Sequence, residues 1–359
     1  MKKRTWACAL IAVAGASLLV RHVVSEPAAN ASGQRDSVID ASERNTVIDA
    51  AIAQLHRAYV IPEKTAAIES DLRERQRRGE FDSITSAQSF AGHLTDVLQE
   101  QTGDRHLEVR YFEKPLSVGE SGQGTPEEQA IEDLRQRRLN YGFASVGRFP
   151  FNIGYIDLHA FARPEHATDR IAAAMTLVSE SDALVIDLRK CGGGDPDTVM
   201  LFASYLFDAP EHLNDIYFRD EDRTEVRWTT KAVPGIKYGQ ERMVYLLTSH
   251  DTFSACEDIT YALKNAHRAV VVGENTGGGA HAGSPQRLDA HFMMFVPSGR
   301  PISPVTHTDW EGVGIAPDIS APASDAADVA QVAILGRLLP GEADPERQGE
   351  IRERMSELD

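Results

Sequence analysis

The chain has 359 residues, of which 42% are apolar and 25% charged. That is enough for one large domain with a smaller one, or for two. The formal net charge of −17 argues against a nucleic-acid binder, which needs clustered Lys and Arg, and against a partner for anionic lipid.

The N-terminus reads "MKKR", then "TWACALIAVAGASLLV", then "SEPAANASGQRDS". A charged start, a short apolar run and a small-residue exit predict a signal peptide or N-terminal anchor over residues 1–26, hence an exported, periplasmic or extracellular protein. Residues 27–43 read as a linker. Helices follow in "RNTVIDAAIAQLHRAYV", in "PEKTAAIESDLRERQRRGEF" behind Pro62, and in "SAQSFAGHLTDVLQEQTG" between Ser86 and Gly103. With the alternating strand "HLEVRYF" they make a helical N-terminal domain, 44–112. Residues 113–140 are polar and read as a connecting loop or irregular helix.

From residue 141 strands alternate with helices, which predicts an α/β core domain over 141–338 with parallel pairing. "NIGYIDL", "ALVIDLR", "RMVYLLTS" and "RAVVVG" are its strands. "ATDRIAAAMTLVSE", "DTVMLFASYLF" and "SACEDITYALKNA" are its helices. "SPQRLDA" and "HFMMFVPS" suggest an added hairpin, and 339–359 a charged tail, either a surface helix or frayed.

Four stretches carry candidate chemistry. Ser254, in "TFSACE", stands where a strand gives way to a helix, whose free N–H groups can stabilise an oxyanion. The plainer reading is a serine N-cap, and the G-x-S-x-G elbow is absent. "VIDLRKCGGGDPD" ends a buried strand in Gly192–Gly194 and matches no phosphate-loop motif; it reads either as a tight turn or as an oxyanion loop. His106, in "TGDRHLEV", is a base candidate, with His250 and His281 as rivals. Glu311, in "THTDWEGVGIAPDI", is a loop carboxylate of the kind that orients a catalytic histidine. Cys8 falls in the predicted signal. Cys191 and Cys256 form no C-x-x-C motif, so no metal site is expected.

The motifs "YVIPEK", "GDRHL", "VIDLRKCGGG", "TFSACE", "VVGENTGGGAH" and "PVTHTDWEGVGIAPDI" occur in the order seen in the tail-specific (C-terminal processing) serine peptidase family. The chain most resembles the branch with the interphotoreceptor retinoid-binding protein repeats and the tricorn protease core. The resemblance spans roughly residues 45–335. It implies a crotonase-like ββα spiral core with the helical N-terminal domain, and no PDZ segment is evident. It also implies peptide or protein substrates, no cofactor, and a Ser254–His106–Glu311 triad, because no lysine stands in "TGGGAH" for a Ser–Lys dyad. The oxyanion donors implied are the N–H groups of Ala255 and Gly193, with Gly192 as rival. Cys191 and Cys256 would then flank one pocket, as two buried thiols or as a candidate redox pair. Because one branch carries retinoids and fatty acids, a non-catalytic protein holding a hydrophobic small molecule is the alternative.

Overall fold

The computed structural model describes residues 35–116 and 126–359; the predicted signal segment and residues 27–34 of the linker lie outside these. Helix α1 (Ala41–Ala58) starts where the Asp40 side chain accepts the Glu43 N–H. Helix α2 (Pro62–Arg77) opens on proline. Helix α3 (Ala87–Thr102) runs between the Ser86 cap and a left-handed Gly103, as the sequence suggests. Strand β1 (Glu108–Tyr111) follows. Within the stretch read as a loop or irregular helix, residues Pro126–Arg138 form a regular helix, α4.

The α/β part then runs β2 (Phe143–Phe149), β3 (Ile153–Leu158), α5 (Pro164–Val178), β4 (Ala183–Asp187), α6 (Pro196–Ala203), β5 (Asp215–Phe218) and β6 (Arg223–Glu225). It continues with β7 (Met243–Thr248), α7 (Ala255–Asn265), β8 (Val270–Gly273), β9 (Ala282–Arg287), β10 (Phe292–Ile302), β11 (Ile319–Ser320), α8 (Ala326–Leu338) and α9 (Pro345–Leu358). Helix α9 is no frayed tail: its Ile351 is buried against α8 in the core below the sheet.

Six strands form one sheet in the order β11-β8-β7-β4-β3-β2. All its pairings are parallel except that of β2 with β3. Every residue of β4 is buried, as expected of a strand covered on both faces. Leu184 and Ile186 join the cluster under α5–α7, while Ala183 and Val185 join the one under α8 and α9.

The second sheet is antiparallel, β1-β10-β5-β6, with β9 also on β10. Strand alternation divides its two faces. Val109, Tyr111, Phe292, Met294 and Val296 pack into the core shared with α1–α3. Their neighbours Glu108, Arg110, Met293 and Phe295 line a cleft on the other side. The mixed α/β architecture with an N-terminal helical region is thus as read from the sequence. Among the described residues, no helix is long and apolar enough to cross a membrane.

Candidate active site

The site sits beyond the carboxyl ends of β4, β7 and β8, three strands adjacent in the sheet and the usual place for ligands in such sheets. After β7 the chain reaches Ser254, the N-cap of α7, at φ +55° and ψ −122°. A non-glycine residue rarely occupies that region, and such strain gathers at functional sites. After β4 the glycine run passes directly over it. A Cβ on Gly193, whose φ is +121°, would meet Ser254 Cβ at 2.9 Å and Oγ at 3.3 Å, so only glycine permits the approach.

The same loop is also bonded to the serine corner. The Phe253 N–H donates to the Cys191 carbonyl at 2.9 Å, and Cys191 is disulfide-bonded to Cys256 across a Cα–Cα distance of 5.9 Å. Of the oxyanion candidates, the Gly193 N–H donates to Cys256 Sγ at 3.1 Å and the Gly192 N–H to the His159 carbonyl at 3.1 Å. Ala255 is the first residue of α7 and lines the cleft.

His106 enters from the other sheet, one residue before the buried Leu107. Its ring packs 4.7 Å from Phe253 and 5.9 Å from Phe295, centroid to centroid. Neither ring nitrogen has a hydrogen-bond partner among the described residues. Burial depresses its pKa to about 4, against the attraction of Asp104.

Asp104, which the sequence reading did not single out, is almost wholly buried. Its Oδ1 accepts the His106 backbone N–H at 3.0 Å and lies 3.8 Å from His106 Nδ1. Its Oδ2 is 2.7 Å from Nδ1 of the buried His281. Burial disfavours charge on His281, yet the hydrogen bond to Asp104 and the charge of Glu311 hold its pKa above the ordinary value. Glu311 Oε2 accepts the N–H groups of Ala280 and His281 at 2.6 and 3.2 Å, while its buried Oε1 has no partner among the described residues. Burial, then the Asp104 charge, push its pKa up to about 7. One ligand-type atom from each of Asp104, His106 and Glu311 falls within 4.8 Å of the others. These are donor types that also suit a divalent cation, which would compete there for His106.

His106, Ser254, Ala255 and His281 all line one cleft of about 570 Å³, whose walls include Phe112, Ile216, Phe218, Met293, Phe295 and Pro301. His250 is exposed and is not among the lining residues. Glu257 was also missed by the sequence reading. Its signal was the S-x-x-E spacing of a capping box from Ser254, and its carboxylate takes the Ser254 N–H at 3.0 Å.

A serine at a strained strand–helix corner, with glycines over it, two histidines in the same cleft and the Asp104 and Glu311 carboxylates beside those histidines, supplies the residue types of an acyl-transfer site in an α/β protein. The chain belongs to peptidase family S41. The model of that family matches residues 152–321, and the model of the N-terminal domain of this family in eukaryotic IRBP matches residues 38–140. Over 172 residues, 48% of this chain, it is 30% identical to the chloroplastic carboxyl-terminal-processing peptidase 2 of Arabidopsis thaliana, of which the match covers 32%; the chain spans about a third of that relative. In three dimensions it is similar to a lipoprotein from Streptococcus agalactiae, with TM-score 0.54 and 14% identity over 82% of this chain and 96% of that one. It is likewise similar to mature CPAF, with TM-score 0.51 and 11% identity over 84% and 98%. At these identities the structural likeness speaks for the fold alone.

Proposed function

We propose that the protein is an exported serine peptidase that hydrolyses peptide bonds with Ser254 as nucleophile, His106 as general base and Glu311 as the carboxylate that orients the imidazole. The observation that carries this reading is the Ser254 corner: a strained serine at a helix N-terminus beneath Gly193, opening on the cleft that His106 also lines. Family membership supports the reaction class. The N-terminal sequence supports export, and the crotonase-like spiral belongs to the same reading.

Ser254 Oγ attacks the carbonyl carbon of the substrate as its proton passes to His106. With its pKa depressed by burial to about 4, the imidazole is neutral at pH 7 but a weak base, so its protonation depends on the neighbouring carboxylates to stabilise the imidazolium. The oxyanion falls to the Ala255 N–H and to that of Gly193, which rests on sulfur, a weak acceptor and so cheaply given up. His106 returns the proton to the amine as the C–N bond breaks, and water then releases the acyl group by the same steps. Glu311, with one carboxylate oxygen unpartnered, steadies the imidazolium. No cofactor or metal enters the scheme. The Cys191–Cys256 bridge holds the glycine run against the serine.

The test is labelling with an alkyl fluorophosphonate. Wild type reacts at Ser254, Ser254→Ala does not react, and His106→Ala reacts slower by about 10²–10⁴-fold, the usual contribution of a general base. A folded wild type that stays unlabelled overturns the proposal. The apolar cleft wall favours, as second reading, a carrier of a fatty acid or retinoid-like ligand, which mass spectrometry of an organic extract would reveal.

A further inference from the structure

Glu257 is wholly buried, yet its partners are not cations. Its Oε2 accepts the N–H of Ser254 at 3.0 Å and that of Gly279 at 2.8 Å. Its Oε1 accepts the Gly278 N–H at 2.7 Å and the Thr276 hydroxyl. A buried carboxylate is costly unless each lone pair is met. Here four donors meet it, and the N-terminus of α7 adds a partial positive charge. A helix cap needs only the first of these bonds; the other three reach into a loop about twenty residues further along the chain.

That loop is in turn joined to the segment carrying Glu311. The Gly312 N–H donates to the Gly278 carbonyl at 2.9 Å. Trp310 Nε1 donates to the Gly279 carbonyl at 3.1 Å, and the Ile315 N–H donates to Thr276 Oγ1 at 2.8 Å. The loop also abuts the histidine: a Cβ on Gly279 would lie 2.8 Å from His106 Cε1 and 2.1 Å from the Phe253 ring. The Ser254 backbone, the flank of His106 and the loop bearing Glu311 therefore meet through one carboxylate.

We propose that Glu257 is a positioning residue that registers the Ser254 corner against the 276–279 loop, and through that loop against His106 and Glu311. The role rests on the reading of Ser254 as nucleophile. It requires a group that only accepts: an amide would turn an NH2 towards groups that are themselves donors. Glu257→Gln, near in size and shape, therefore breaks the clamp.

Two measurements on the full chain test this. The first is backbone hydrogen exchange, which does not depend on activity. In Glu257→Gln, protection is lost at residues 276–279 and at the start of α7, while β4 and β7 keep theirs. The second is fluorophosphonate labelling against probe concentration. The maximal rate falls by about 10²-fold, the cost of a misplacement near 1 Å, while the half-saturating concentration stays put, a split that general loosening would not give. Should Glu257→Gln fail to fold, Thr276→Val removes one donor to Glu257 together with the acceptor of the Ile315 N–H and lowers the maximal rate by at least about tenfold, the equivalent of one hydrogen bond. Wild-type exchange with wild-type labelling in either variant overturns the proposal. An unlabelled wild type would instead count against the reading of Ser254 and leave exchange to decide on the clamp.

Discussion

Gly193 stands over Ser254 so closely that a β-carbon on the glycine would lie 2.9 Å from the serine's own. Two loops from neighbouring parallel strands, β4 and β7, reach this contact because both strands end at the carboxyl end of the sheet. Gly193→Ala adds both a clash with Ser254 and an unfavourable positive φ. Expected is loss of at least about 10²-fold in labelling rate, the size of losing one oxyanion donor, and destabilisation by about 1–3 kcal/mol. Labelling kinetics and a urea melt read the two effects. A variant labelled at the wild-type rate would mean that this loop does not serve the serine.

The acid–base groups of the cluster pull stability in opposite directions with pH. Glu311 has a folded pKa of about 7 against an ordinary 4.5, so between these values the native state holds a proton that the unfolded chain has released. Its contribution is present at low pH and is lost as pH rises through about 7. His106, at about 4 against 6.5, does the reverse: its contribution is present above pH 6.5 and is lost as pH falls through about 4. Glu311→Gln removes the first effect and leaves that of His106, while His281, losing the Glu311 charge, titrates at lower pH. The substitution should raise the unfolding free energy by about 1–3 kcal/mol at pH 8 and little at pH 5, while labelling falls. Equal changes at the two pH values would contradict the assignment.

The core strands announced themselves because β4, β7 and β8 are buried on both faces and read as unbroken apolar runs. Ser254, His106 and Glu311 stood out through motif order, and Ser254 also through its place at a strand–helix corner. Strand β2 escaped notice because it lies at the sheet edge, with most of its residues exposed or half-exposed, so its pattern carries no alternation. Asp104 was illegible for another reason: its partner His281 lies 177 residues away, and no local pattern encodes that meeting. Glu257 went unread although its spacing from Ser254 is that of a capping box, and its three further partners meet it only once the 276–279 loop folds back over it.

Asp104 serves two histidines and raises the pKa of Glu311 by its charge. Asp104→Asn therefore has three expected consequences. The unfolding free energy drops by about 3 kcal/mol, as when one partner of a buried pair is removed. The titration of His281, followed by its ring-proton resonance, moves to lower pH. The pH at which Glu311 ionises also falls, so the labelling profile shifts towards acid. An unchanged His281 titration would show that the 2.7 Å contact with Asp104 does not govern its charge.

The Cys191–Cys256 bridge closes a loop with a sequence separation of 65. By chain entropy a loop of that size is worth about 4 kcal/mol. Its local effect is more specific, because the Gly193 N–H rests on Cys256 Sγ and Gly193 in turn rests on Ser254. Reduction by excess dithiothreitol breaks the S–S bond, giving two thiols and oxidised dithiothreitol. Stability then falls and the glycine run is freed from the serine. The Cys191→Ser, Cys256→Ser double variant should melt earlier and label more slowly than wild type, and wild type treated with reductant should approach it. Dithiothreitol should leave the double variant unchanged, which separates the bridge from any other effect of the reagent. A thiol assay on denatured oxidised protein that begins after residue 26 should find no free thiol. Finding two would remove the bridge and, with it, this account of how the glycine run is held.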